Sequence, residues 1–212
     1  MRTALESSIR SRLASRGLWL AAAALLSACA TGGATRPARI EIEAGHGFTI
    51  TEEVRISAAV RADFERALRL LEREDYDSGI PLLLEVTQAA PDLTTAHIDL
   101  GIAYGRVGEL KQAEASIRRA LELSPRHPVA HNEMGILYRR TGRFEQARKS
   151  YERALAVFPD FHFARRNLAI LCDVYLGDTA CAIEHYESYT RAVPDDDTVA
   201  MWVADLRNRM GE

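Results

Sequence analysis

Three thiols and six imidazoles are the side chains of this sequence best suited to chemistry. His127 and His131 stand four residues apart, the spacing at which two imidazoles on one helical face can share a metal ion. Pro128 lies between them, and no cysteine or carboxylate completes a clear ligand set, so no metal is assigned and a metal- or small-molecule-binding role is the alternative reading. His97 and His131 occupy positions 34 residues apart, while His46, His162 and His185 have no evident partner. Cys172 and Cys181 flank a short turn. In an oxidising compartment they can close a disulfide; otherwise they serve as two small buried apolar residues. Carboxylates are plentiful, but they alternate with Arg and Lys at helical spacing, as on solvated helix faces. A Gly-x-Ser-x-Gly elbow, a His-Glu-x-x-His pair and a phosphate loop are absent. The chain therefore does not read as an enzyme and implies no cofactor.

The elements that would position these groups are bounded by composition. A chain of 212 residues, 47% hydrophobic, holds one domain or two small ones with a continuous core. Seven prolines and 13 glycines exclude collagen-like and broadly disordered chains. A net charge of −3 gives no footprint for nucleic acid.

From residue 60 onward one period dominates. Pro91, Pro125 and Pro159 are each 34 residues apart, and so are the pairs Gly101/Gly135, Tyr104/Tyr138, Gly108/Gly142, Ala113/Ala147 and Ala120/Ala154. A fixed period of this length marks stacked helical hairpins. Small residues at 101, 113, 135 and 147 let antiparallel helices approach closely. Tyr104, Ile117, Tyr138 and Tyr151 fill the space between helices. Gly108 and Gly142 end first helices in the left-handed region, and the prolines end second helices. Four units are framed at about 60–93, 94–127, 128–161 and 162–196. In the first, Gly79 stands where alanine is usual, and Pro81 predicts a second helix that starts late or frays. In the fourth, Pro194 follows Pro159 by 35 residues, so one extra residue must be absorbed near Tyr175–Asp178. Asp195, Asp196 and Asp197 offer N-caps to a last helix, Thr198 to Met210. Its Val199, Trp202, Val203, Leu206 and Met210 form one apolar stripe that lids the final repeat.

These positions resemble the tetratricopeptide repeat family. The resemblance implies an all-α fold, a right-handed superhelix of about four helix-turn-helix units with a C-terminal capping helix, whose concave face is lined by first helices. In that family the second, fifth, ninth and twelfth residues of each unit point into the groove. Here those positions include Thr95, Ile98 and Ile102, then Val129, Asn132, Ile136 and Arg139, then Phe163, Arg166 and Ile170. A peptide with hydrophobic anchors and a carboxylate would suit this surface, with Arg139 and Arg166 expected to be exposed. The chaperone-tail clamp of some family members needs lysine and asparagine in the first unit, where this chain has Phe64 and Leu68.

The N-terminus reads as an address. Arg2, Arg10, Arg12 and Arg16 precede an apolar run, Gly17 to Leu26, that ends in Leu26-Ser27-Ala28-Cys29. A basic segment, a short apolar segment and small residues make a secretory signal peptide. The run falls short of the roughly 20 residues that span a bilayer. Leu-Ser-Ala-Cys also resembles the bacterial lipobox, which implies cleavage before Cys29, a thioether-linked glycerol on its sulfur carrying two palmitate-like acyl chains, often a third on the new amino group, and durable anchoring. Ala30 after the cysteine, rather than aspartate, implies export to the periplasmic face of the outer membrane. Loss of residues 1–28 leaves a net charge of −6, so nothing beyond the anchor draws the chain to anionic lipid. Residues 29–59 then form a tether and arm, in which Ile40, Ile42, Phe48 and Ile50 alternate with polar residues around Gly45-His46-Gly47 as a short hairpin or extended arm. Residues 60–196 hold the repeats, and 197–212 the capping helix. The whole resembles the tetratricopeptide lipoproteins that act as pilotins for secretins, scaffolds for murein enzymes or accessories to TonB-type systems. That implies an adaptor for other envelope proteins, with no nucleic-acid partner and an oligomeric state left open.

Overall fold

In the computed structural model, residues 39–43, 47–51 and 54–211 are described. Cys29, the apolar run before it and His46 lie outside them. Strands β1 (Arg39–Glu43) and β2 (Gly47–Thr51) pair antiparallel, with Ile40 opposite Ile50 and Ile42 opposite Phe48. This hairpin is a unit separate from the helical one.

The helical unit pairs α1 (Ala58–Glu72) with α2 (Tyr76–Ala89), α3 (Thr94–Val107) with α4 (Leu110–Leu123), α5 (Pro128–Arg140) with α6 (Phe144–Val157), and α7 (His162–Ile170) with α8 (Thr179–Ala192); α9 (Asp197–Met210) packs on α8. Among the described residues no helix is long and apolar enough to cross a membrane. Side-chain size sets the spacing inside each hairpin. A methyl group on Gly101 would lie 2.6 Å from Ile117 Cδ1, and one on Gly135 would lie 2.5 Å from Tyr151 Cε1. Ala113, Ile117, Ala147 and Tyr151 are all fully buried. The core falls into three clusters, around Phe64 and Leu83, around Ile117 and Met134, and around Tyr186 and Leu206, with the partly buried Tyr104 and Tyr138 packing between them. Trp202 packs on the last cluster, its ring 5.6 Å from that of Tyr186, which makes it part of the lid.

Neighbouring repeats are also stapled by ions. Glu114 on α4 accepts two hydrogen bonds from Arg143, one of 3.2 Å, while Arg148 on α6 donates to Asp178 at 3.0 Å. These are equivalent positions in successive repeats with the charges exchanged. Half-exposed pairs contribute about 0.2–1 kcal/mol each, but the exchange penalises stacking units out of order.

Three local features differ from, or sharpen, the sequence reading. First, α2 neither starts late nor frays: it begins at Tyr76, where Asp75 accepts from the Ser78 N–H at 3.1 Å, and Pro81 sits inside it. Proline forfeits only its own N–H, and the cap supplies what the first turn lacks. Second, the extra residue of the fourth unit is taken up as a π-helical turn, Leu171–Leu176, that continues α7. The Glu109 and Arg143 N–H groups reach back to the Tyr104 and Tyr138 carbonyls, whereas the Asp178 N–H reaches back to Cys172, one residue further. Third, the left-handed position held by Gly108 (φ 86°), Gly142 (φ 73°) and Gly177 (φ 64°) is held in the first unit by Glu74 at φ 60°. A side chain there costs about 1–2 kcal/mol, and glycine's extra chain entropy about 0.5–1. Glu74→Gly is therefore expected to stabilise the protein by about 0.5–1 kcal/mol in urea unfolding; a lower midpoint would refute the strain.

Candidate partner-binding groove

Successive first helices (α1, α3, α5, α7) approach one another more closely than successive second helices do. The stack therefore bends with first helices on its inner side. Residues at 34-residue intervals hold equivalent positions on successive first helices, in rows: Thr95–Val129–Phe163, Ile98–Asn132–Arg166, Ile102–Ile136–Ile170 and Gly105–Arg139–Asp173. The hydrogen bonds between those helices run one residue off the rows, from Arg140 to the Gly105 carbonyl and from Asn167 to Asn132.

The middle isoleucine row is partly exposed throughout, as are Thr95, Val129 and Phe163. Two expected groove residues are not available. Ile98 is buried against Ala113, Ile117 and Met134. Asn132 is also buried: its Nδ2 donates to Glu133 Oε1 at 3.1 Å and its Oδ1 accepts from Asn167 Nδ2 at 2.9 Å. It is structural, a polar rung between α5 and α7. Arg139 and Arg166, expected to be exposed, are instead half-buried under aromatic rings. The Arg139 guanidinium lies 5.8 Å from the Tyr175 ring centre; that of Arg166 lies 5.9 Å from Tyr189 and 5.8 Å from Trp202. Sequence reasoning missed these rings because they come from the π-turn, α8 and α9. It also missed Asp173, whose register in the fourth row was readable; Arg209 donates to it at 3.3 Å.

Three of the histidines, His97, His127 and His131, resolve into turn architecture. His131 Nε2 donates to the Pro125 carbonyl at 2.9 Å, and His97 Nε2 to Pro91 at 3.0 Å; Arg165 Nε reaches Pro159 in the same way, also at 3.0 Å. One repeated bond onto the turn proline explains the 34-residue spacing. His127 caps α5, its Nδ1 accepting from the Ala130 N–H at 3.3 Å. Its position holds Leu93 and Phe161 in the flanking units, so this imidazole plugs an apolar site, and its Nε2 is buried without a partner. Among the described residues the one group of three with metal-ligand character is Cys172, Asp178 and Cys181, and it includes neither histidine. Its two sulfurs are joined as a disulfide, while Asp178 caps α8 through the Cys181 N–H and pairs with Arg148.

A buried imidazole and a half-buried carboxyl set a pH dependence. Burial, with His131 nearby, drives His127 from 6.5 down to about 4. Its stabilisation is complete above pH 6.5 and is lost as pH falls from 6.5 to 4, about 3 kcal/mol at the limit. Burial pushes the Glu133 carboxyl from 4.5 up to about 7, against the Asn132 hydrogen bond and Arg106. Its ionisation disfavours the fold, so this stability is full below pH 4.5 and lost as pH rises from 4.5 to 7. Between pH 4.5 and 6.5 the two slopes oppose. Glu133→Gln is expected to stabilise the protein by about 2 kcal/mol at pH 7.5 and to expose a steeper acid loss. His127→Leu should reverse the slope, giving stability that rises on acidification. Urea unfolding at pH 4.5, 6.0 and 7.5 tests both, and parallel profiles for wild type and variants would refute the assignment.

A tetratricopeptide repeat profile matches residues 92–160 and 126–195. None of the curated proteins matches in sequence. Among solved structures, pilF of Pseudomonas aeruginosa is 23% identical, with 72% of this chain and 69% of that one covered and a TM-score of 0.66. MamA of Desulfovibrio magneticus RS-1 is 17% identical over 74% and 88% of the two chains, with a TM-score of 0.64. A thermophilic repeat protein of Thermus thermophilus is 22% identical over 69% and 80%, with a TM-score of 0.62. At these identities the likeness is one of fold.

Proposed function

The helical stack over residues 92–195 is an array of tetratricopeptide repeats, and from that premise we propose that the protein is a lipid-anchored adaptor that holds another polypeptide along its inner face within a cell-envelope assembly. The observation that carries the binding role is the row Ile102–Ile136–Ile170, partly exposed on three adjacent first helices. An apolar row continuous across repeats suits a peptide lying along the groove, with Val129 and Phe163 widening it. The leader that ends in Leu26-Ser27-Ala28-Cys29 supports anchoring through Cys29, and Ala30 supports delivery to the periplasmic face of the outer membrane. The reading is binding rather than catalysis, since His97, His127 and His131 serve helix ends and turns.

Two experiments test this. A photocrosslinking residue at Ile136 should capture a defined envelope protein in cells, and one at Arg153, exposed on α6, should not. Equal capture from both positions would place the partner elsewhere. Separately, Cys29→Ser should abolish palmitate incorporation and release the protein from the membrane fraction; unchanged fractionation would refute the anchor.

A further inference from the structure

The partly buried arginines between repeats are matched with carboxylates, Arg143 with Glu114 and Arg148 with Asp178, whereas exposed ones such as Arg153 are left to water. Arg139 and Arg166, on the inner face, have no carboxylate within 4.0 Å among the described residues, and the Nε of each is buried with no hydrogen-bond partner. Rings hold both in place. Stacking on a ring returns only part of what it costs to withdraw a cation from water without a counter-ion. Nor does the repeat require a cation at either place. The position of Arg139 is Gly105 in the preceding unit, and that of Arg166 is Ile98 and Asn132 in the two preceding units. The fold thus carries two partly desolvated guanidiniums that make no ion pair within 4.0 Å. Asp196, which already caps α9 and accepts from Tyr189, lies only within electrostatic reach of Arg166, and the polar neighbour of Arg139 is the neutral Tyr151 hydroxyl. Asp173 shares the row of Arg139 but is engaged by Arg209.

We infer that Arg139 and Arg166 form a paired carboxylate-recognition site for a partner segment that lies along Ile136 and Ile170. This rests on the groove reading above and adds the chemistry of the ligand: an apolar segment bearing two acidic side chains. Arg166 precedes the row of Arg139 by seven residues along α7 and the π-turn that continues it, about 10 Å of rise, and sits one helix across from it. An extended segment at about 3.3 Å per residue therefore presents its two carboxylates roughly three to five residues apart.

The test uses the full-length protein and two synthetic, fluorescein-labelled 14-residue peptides rich in leucine. One carries two glutamates four residues apart, and the other carries glutamines at the same places. The glutamate peptide should bind at least tenfold more tightly, and R139Q/R166Q should erase the difference. That variant should unfold at a midpoint no lower than wild type, since it loses two unmatched cations; if it unfolds early, the single variants R139Q and R166Q are each expected to lose part of the preference. Equal affinities for the two peptides, or a preference that survives R139Q/R166Q, would overturn the arginine site while leaving the groove intact. Binding of both peptides that is unaffected by Ile136→Asp would instead overturn the groove itself. Failure of both peptides to bind overturns both readings.

Discussion

Gly135→Ala should destabilise the protein by about 2–3 kcal/mol, although alanine is the better helix former by roughly 1 kcal/mol. The added methyl would stand 2.5 Å from Tyr151 Cε1, 2.6 Å from Cδ1 and 2.9 Å from Cζ. These atoms belong to a flat ring that is fully buried and packed among Ala147, Leu168 and Tyr186, so it cannot step aside as a flexible chain end would. Overpacking of this kind costs about 1–3 kcal/mol, because side chains leave their rotamers or helices separate. The repeats supply their own control. At the equivalent pair of positions the first unit has Ala67 with Leu83, the second Gly101 with Ile117, the third Gly135 with Tyr151 and the fourth Ala169 with Tyr186. Alanine opposite tyrosine is thus possible in a hairpin built around it, and in the fourth unit α7 gives way two residues later to the π-turn. The third unit has no such adjustment. Gly135→Ala/Tyr151→Leu, which copies the first unit's pair, should lose less than the sum of the two single changes, a coupling of at least 1 kcal/mol between touching residues. Urea unfolding of the four proteins measures it. Additive losses would mean that α5 and α6 separate freely and that glycine at 135 is not a spacing requirement.

The same register shows how far sequence alone reaches. Hairpin boundaries, the close approach at Gly101 and Gly135, the left-handed glycines and the capping helix are all local consequences of residue type at a fixed period, and each is where the spacing puts it. The Glu74 strain was readable too, as the one non-glycine among the residues that register with Gly108. Pro81 misled because a proline rule speaks of one lost N–H and not of the Asp75 cap beside it. The extra residue before Pro194 was countable, but a count cannot say whether a loop lengthens or a helix takes a π-turn; that depends on what Leu171 and Cys172 bury. The groove was legible as a set of positions and not as a surface. Ile98 and Asn132 sink because neighbouring repeats close over them. Arg139 and Arg166 are half-covered by rings from elements up to 36 residues away, contacts that no local pattern encodes.

Reduction of Cys172–Cys181 should cost about 2–3 kcal/mol, and the loss should be confined to one end of the molecule. The bridge spans nine positions, and closing a loop of about ten residues in the unfolded chain is worth roughly 2.5–3 kcal/mol. It ties the π-turn to the first turn of α8, where Asp178 already holds the Cys181 N–H at 3.1 Å and Arg148 at 3.0 Å. A repeat stack transmits stability only through neighbouring interfaces. Hydrogen exchange in reductant should therefore rise first in α8 and α9, and in the part of α7 beside the π-turn, while α3 to α6 keep their protection. Cys172→Ala/Cys181→Ala should reproduce the pattern without reductant, and the double variant should no longer respond to it. If the stabilising element were instead the buried packing of Cys172 among Leu171, Ala182 and Tyr186, reductant would shift the unfolding midpoint by less than about 0.5 kcal/mol while the alanine variant still lost stability. Mass spectrometry of the untreated protein gives the prior condition, since two thiols open to alkylation before any reductant is added would remove the bridge from the argument. The outcome also bears on binding, because the π-turn carries Tyr175, the ring against which Arg139 rests. Release of the bridge should therefore loosen the Arg139 end of the groove before the Arg166 end, which Trp202 and Tyr189 hold from α9 and α8.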